Sequence, residues 1–370
     1  MKARASSARS LREAISDLGD AVLDPRQWPF VMEHISRAAG ATGAFLVQAD
    51  ARTPDVPRTD SLRGFVDDYF RNGWHARDVR AARGAPVLLS GSHVVIDQDI
   101  LTREQIAKEP LYNDCNLKHG LAWFAGVKVW AGPALWAMAI QRSVTEGPFN
   151  KAEKELLGLL SRPLSEAATL SATVGGVTLS SATCALDSVG EPAIALGRYG
   201  LVLGTNAAAE KLFDDDFRLK DRRLCVKDRD ANRRLCELAD RLTMARDTDP
   251  LVESPIMIRR VSKPPLIAGT IPIHGAARTP FLGARALLIF RSTNPGPPVA
   301  PVLLSELFGL TPAEARVAAM IADGRRPNEI ARRLAISRGT VKNQLKVVFQ
   351  KTSVHRQAEL AALLARLPRT

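Results

Sequence analysis

Between Pro327 and Val354 the chain reads PNEIARRLAISRGTVKNQLKVVFQKTSV. Ile330, Ala331 and Leu334 recur at helical spacing, and Val341, Leu345 and Val348 repeat the pattern after an interruption at Ile336-Ser337-Arg338-Gly339. This predicts two short amphipathic helices meeting at a tight turn. Ser337 suits the N-cap of the second helix, because its hydroxyl accepts a first-turn backbone N–H, and Pro327 suits the first position of the helix before it. The polar face of the second helix carries Arg338, Lys342, Asn343 and Lys346, with Lys351 and Arg356 following. From Arg325 to Arg356 nine Lys or Arg residues stand against one acid, Glu329. A solvated basic face explains a charge run of this kind; so does a helix in the DNA major groove, with side chains on base edges and flanking cations on phosphates.

The motifs favour DNA. Leu310-Thr311-Pro312-Ala313-Glu314, Gly324, Asn328-Glu329-Ile330-Ala331, Ile336-Ser337 and Thr340-Val341-Lys342, through to Lys351 and Val354, resemble the LuxR-type helix-turn-helix of bacterial transcription regulators. The resemblance covers about the last 65 residues. Gln344 stands where many members have His, and Ala313 and Ala315 replace charged residues. It implies an all-α four-helix domain whose DNA-binding residues are Arg338, Thr340, Lys342, Asn343, Lys346 and Lys351. Lys342, Asn343 and Lys346 fall on its base-facing positions, where Lys suits guanine and Asn suits adenine.

Charge agrees with this placement. The net charge is +12, and residues 302–370 hold twelve Lys and Arg against five Asp and Glu, a concentrated basic end for a polyanionic partner. At 370 residues, with 46% apolar and 24% charged residues, the chain is globular and too long for one core. Cys115, Cys184, Cys225 and Cys236 show no metal-ligand spacing. Four buried reduced thiols are expected, with Cys225, flanked by Arg222, Arg223 and Lys227, the first candidate for a reactive one. No P-loop, G-x-S-x-G, H-E-x-x-H or dinucleotide glycine pattern is present, so the chain reads as no enzyme and as needing no cofactor.

The expected organisation is multidomain. Residues 1–20 read as a flexible arm, 21–148 as an α+β sensor domain on an antiparallel sheet, and 149–184 as a connecting helix and linker. Residues 185–291 form a second α+β domain, 292–301 a Pro-rich linker and 302–370 the helix-turn-helix domain. Gly120–Ile140 holds one charge, Lys128, but Gly132-Pro133 splits it into runs too short to span a bilayer, so a buried strand pair is expected. The helix from Asn150 should bend at Pro163 and loosen at Gly175-Gly176, its leucines serving in part a dimer contact. Within 21–148 the segment spacing resembles GAF/PAS-like sensor domains, and EPAIALGRYGLVLGTNAAAEKLF resembles the opening of a PAS domain.

Tyr69, Trp74 and Asp78 are spaced like the ligand-lining tyrosine, aromatic and aspartate of acyl-homoserine-lactone-binding domains. Val79 and Phe65 depart from that pattern, and aromatics packing a core with Asp78 capping a turn account for the same residues. Taken together, the resemblances imply a cytoplasmic LuxR-type regulator acting as a homodimer on double-stranded DNA with half-sites about 10 base pairs apart. A small-molecule effector and RNA polymerase would be its further partners, and no membrane. The rival readings are a constitutive DNA-binding scaffold and a phosphorelay receiver; neither Asp67-Asp68 nor Asp214-Asp215-Asp216 suits a phosphoacceptor.

Overall fold

The computed structural model describes residues 2–49, 53–244, 254–293, 299–365 and 367. The chain divides into two compact units, 1–291 and 292–370.

The first unit opens with helices α1 (Lys2–Ser16), α2 (Leu18–Leu23) and α3 (Trp28–Ala38), followed by strand β1 (Gly43–Gln48). The flexible arm expected at 1–20 is thus helical, because Leu11, Ala14 and Leu18 bury an apolar stripe against Val31, Met32 and Ile35. Helices α4 (Arg63–Arg71) and α5 (Val79–Leu89), strand β2 (Val94–Ile96), short helices α6 (Asp97–Ile100) and α7 (Arg103–Lys108), and strands β3 (Leu121–Ala131) and β4 (Ala134–Ser143) complete the first module. The antiparallel sheet runs β1-β4-β3-β2. The β3–β4 hairpin is the apolar stretch around Lys128, and its lack of period-two alternation has a simple cause: both faces are covered. Trp136, Met138 and Ile140 face α1, α2 and α3, while Phe124, Leu135 and Ala139 face α4 and α5.

Helix α8 (Lys151–Gly158) starts at Asn150, whose side chain accepts from the Glu153 N–H at 3.0 Å. A break at Leu159-Leu160 leads to α9 (Ser161–Ser188). Pro163 lies in the first turn of α9, where its missing N–H has no helical partner to lose. The helix runs unbroken through Gly175-Gly176, contrary to the expected loosening. A Cβ at Gly175 would lie 2.8 Å from both the Ala276 carbonyl and the Thr279 methyl, so the glycine is there for close packing. Leu164, Ala168 and Leu179 are buried along α9, whereas Leu170 and Val177 are exposed. By length and composition Lys151–Ser188 would suffice to cross a membrane, but those buried positions pack on β3 and on the turn at 275–278.

The second module holds β5 (Ala193–Gly197), β6 (Val202–Thr205), α10 (Ala207–Glu210), the ribbon β7 (Phe217–Lys220) and β8 (Arg223–Val226), α11 (Arg229–Met244), β9 (Ile256–Ile258), β10 (Leu266–Pro272) and β11 (Ala284–Ser292). Its antiparallel sheet is ordered β6-β5-β11-β10-β9. Ala231, Leu235, Leu238 and Leu242 of α11 bury one helical stripe against Ile194, Ile258 and Leu288. The four thiols are free, but only Cys115 is buried; Cys184 and Cys236 are exposed and Cys225 is half-buried, which corrects the expectation of four core thiols.

The second unit is all-α: α12 (Pro301–Phe308), α13 (Pro312–Ala322), α14 (Pro327–Leu334), α15 (Arg338–Thr352) and α16 (Gln357–Leu364). Its core joins Ala315, Val317, Ile321, Ile330, Val341, Leu345, Val348, Leu360 and Leu364. Among the described residues the last four, α13 to α16, are the expected four-helix set, and α12 is an additional helix ahead of them. Leu304 of α12 and Val299 before it are fully buried in that core, so the end of the Pro-rich segment packs as part of the domain, while 294–298 lie outside the described residues.

Candidate nucleic-acid interface

The turn between α14 and α15 is built by three local devices. Ala335 ends α14 in the left-handed region at φ 52°, reversing the chain. Ile336 then tucks against the domain core, and the Ser337 hydroxyl accepts the Thr340 N–H at 3.0 Å, capping α15. The capping box on α13, where the Thr311 N–H donates to Glu314 at 2.9 Å, and Gly324 at φ +76° fix the preceding helix at both ends.

On α15, Val341, Leu345, Val348 and Thr352 form the inward stripe. Arg338, Thr340, Lys342, Asn343 and Lys346 are all exposed on the remaining face. Arg332, Arg333, Arg325 and Arg326 add exposed or half-exposed cations on and just before α14. The last two were not singled out from sequence, although the run Arg325-Arg326 carried the signal. Arg325 donates to Glu329 at 2.9 Å and holds that carboxyl below its usual range.

Lys351 differs from the other five expected contacts. Its ammonium donates to Glu314 at 2.8 Å and to the Gly309 carbonyl at 2.9 Å, tying the end of α15 to the start of α13. The Lys351 hydrogen bond, backed by the Thr311 N–H, holds the Glu314 carboxyl below the usual carboxylate range. Such a lysine builds the domain before it meets any phosphate. Gln344, on the same helix, has its side-chain oxygen buried with no hydrogen-bond partner among the described residues.

In the first unit the structure brings two of the three other expected residues together. The Tyr69 hydroxyl donates to Asp78 at 2.7 Å, and Asp78 also caps α5, accepting the Arg80 N–H at 2.8 Å. The Arg80 guanidinium, 2% exposed, pairs with Asp78 at 3.2 Å and donates to Gln141 at 3.3 Å. Burial pushes the Asp78 carboxyl up, but the Arg80 charge and hydrogen bonds prevail and hold it low. Tyr69, Asp78 and Arg80 line a cavity of about 50 Å³ with Phe45, Phe124 and Leu135. Trp74 is outside that lining; it packs in the core with the Arg77 guanidinium 4.0 Å over its ring. Arg80 was missed from sequence, its signal being only the Asp-x-Arg spacing at a helix start. Deeper in the same module, Asp97 accepts from the Tyr112 hydroxyl and from the Phe124 N–H at 2.7 Å, and burial raises its carboxyl to about 6.

The short capped turn, the inward stripe and the exposed basic face of α15 define a helix-turn-helix domain. Residues 309–364 match the family GerE, bacterial regulatory proteins, luxR family, and this segment is a LuxR-family helix-turn-helix of the kind that binds double-stranded DNA. No curated protein matches the chain. Among solved structures, a chain in "Crystal Structure of the E.coli DhaR(N)-DhaL complex" aligns over 78% of this chain and 90% of its own length, at 12% identity and a TM-score of 0.23.

Proposed function

We propose that the chain is a sequence-specific bacterial transcription regulator in which residues 1–291 act as sensor modules for the DNA-binding unit. The observation that carries this reading is the exposed face of α15, where Arg338, Thr340, Lys342, Asn343 and Lys346 lie opposite the buried Val341, Leu345 and Val348 on a LuxR-family domain. A recognition helix meets base edges with such a face while its neighbours hold phosphates. The two antiparallel sheets support GAF/PAS-like and PAS-like modules. The protein acts in the cytoplasm as a homodimer on an inverted repeat, with RNA polymerase as the downstream partner.

Selection of binding sites from a random duplex library, followed by anisotropy titration, tests the reading. Lys346→Ala should weaken the selected site by about 1–3 kcal/mol and relax preference at one base pair. Equal affinity of the intact protein for selected and scrambled duplexes would sink it.

For the sensor modules, an apolar effector at Tyr69 and Asp78 must enlarge a cavity far below the roughly 300–1,000 Å³ of ordinary ligand pockets. It must also compete with Arg80 for the Asp78 carboxylate. That filled state favours a second reading, a regulator that binds DNA without a ligand at this position. Calorimetric titration of the intact protein with a lactone panel separates the two: binding assigns the effector, and silence across the panel removes it.

A further inference from the structure

The β7–β8 ribbon of the second module is a two-stranded sheet of its own, apart from the five-stranded one. Its register pairs Phe217 with Val226, Arg218 with Cys225, Leu219 with Leu224 and Lys220 with Arg223. Side chains alternate along a strand and share a side with the residue opposite, so the ribbon has two unlike faces. Phe217 is buried against the rings of Phe213 and Phe290, and Leu224 and Val226 pack beside it, which fixes one face on the module's core. The other face carries Arg218, Lys220 and Arg223, all exposed, with Cys225.

Cations on that face do not help the fold. Lys220 and Arg223 stand directly opposite each other, and like charges so placed weaken the pairing of the strands. Among the described residues, the side chains of Arg218 and Lys220 make no hydrogen bond or ion pair. The acids just ahead of the ribbon are engaged elsewhere, Asp214 by Lys263 at 3.1 Å and Asp216 by Lys227 at 3.1 Å. The tip gives a second, independent sign. Asp221 and Arg222 both take left-handed backbone, at φ 49° and 57°, in the kind of turn that Asn-Gly forms with least strain. That strained tip is pinned to its neighbours: the Val202 N–H donates to the Arg222 carbonyl at 2.7 Å, and the Arg223 guanidinium donates to the Tyr199 carbonyl at 2.7 Å. These bonds keep Arg222 and Arg223 beside Lys220, where free side chains would swing apart. A closely spaced polyanion relieves the repulsion, and duplex DNA carries one negative charge per roughly 1.7 Å of its axis.

We propose that the outer face of the β7–β8 ribbon binds the phosphate backbone of the duplex that the helix-turn-helix recognises, with Arg218, Lys220 and Arg223 on phosphates. Such contacts add affinity and salt dependence and carry no base preference. The inference rests on the DNA-binding reading of α15 and adds a second, sequence-independent contact from the unit assigned to sensing. An acidic protein surface has the same complementary charge; the LuxR-family domain on the same chain decides for DNA.

The test is anisotropy titration of the full chain against the selected site, extended by about one helical turn of DNA on each side, between about 0.05 and 0.2 M salt. The ribbon variant Arg218→Gln/Lys220→Gln should lose about tenfold in affinity at about 0.1 M salt, and the slope of log affinity against log salt should fall by about 1.8, with the base preference at the site unchanged. Its thermal midpoint should stay or rise, because the repulsion with Arg223 is relieved. A control, Arg103→Gln/Lys108→Gln, removes the same charge from exposed positions of the first module and should leave affinity and slope as they were. Selective binding that the ribbon variant leaves intact, or that both double variants weaken alike, overturns the ribbon contact alone. A wild-type chain indifferent to selected and scrambled duplexes sinks the regulator reading, and this one with it.

Discussion

Replacing Lys351 by Ala distinguishes a lysine that builds the domain from one that holds DNA. The ammonium donates two hydrogen bonds, to Glu314 and to the Gly309 carbonyl, and the side chains of Lys351 and Glu314 are 34% and 13% exposed. Charged hydrogen bonds are worth roughly 1.5–3 kcal/mol where water is excluded, and partial exposure screens this pair to about 1–2 kcal/mol in total. In a domain of this size that lowers the thermal midpoint by about 5–10 °C, read by calorimetry on residues 292–370, a unit with its own core. The pH dependence adds a second check. Glu314 is held below its unfolded value, so the pair's stabilisation is present in full above about pH 4.3 and is lost as pH falls through the lower folded value. The gap between wild type and variant should therefore be wide at neutral pH and close in acid. A phosphate contact would behave otherwise, lowering the slope of log affinity against log salt by about 0.9 with no thermal shift. An unmoved midpoint together with that change of slope would refute the assignment.

Ser337→Ala removes the cap of α15 and should cost about 1 kcal/mol of stability in the second unit, measured by urea midpoint. Gly175→Val places a side chain where the Ala276 carbonyl and Thr279 already crowd, so the first unit should lose roughly 1–3 kcal/mol while the second keeps its own transition. Asp97, raised to about 6 by burial, binds its proton more tightly folded than unfolded, so stability from this group falls as pH rises from about 4 to about 6, by at most about 3 kcal/mol. Asp97→Asn should flatten the urea midpoint of the first unit across that window, and an unchanged profile would mean that Asp97 is ionised throughout.

The helix-turn-helix was legible in the sequence because its determinants are local. A capping serine, a 3-4 apolar stripe and a basic outer face sit within 28 residues and need no distant partner to be recognised. Strand β1 and the β3–β4 hairpin were legible for the same reason, through apolar runs bounded by Gly40, Gly120 and Gly132-Pro133. The helix α11 had a readable stripe at Ala231, Leu235, Leu238 and Leu242, which the acidic and basic residues between them obscured.

What only the tertiary structure decided is which groups meet across long separations. Helix α9 persists through Gly175-Gly176 because burial along its length outweighs the roughly 1 kcal/mol propensity cost of each glycine, and no local pattern reports the wall it packs on. Lys351 reads in sequence as one more cation after a basic helix, and only folding sets it against Glu314, 37 residues earlier. Asp55 and Arg278, 223 residues apart, become an ion pair because α9 is shared between the two modules that carry them. Local spacing fixes how a segment curls and which face is apolar, whereas the electrostatic neighbours of a charge depend on where the chain returns.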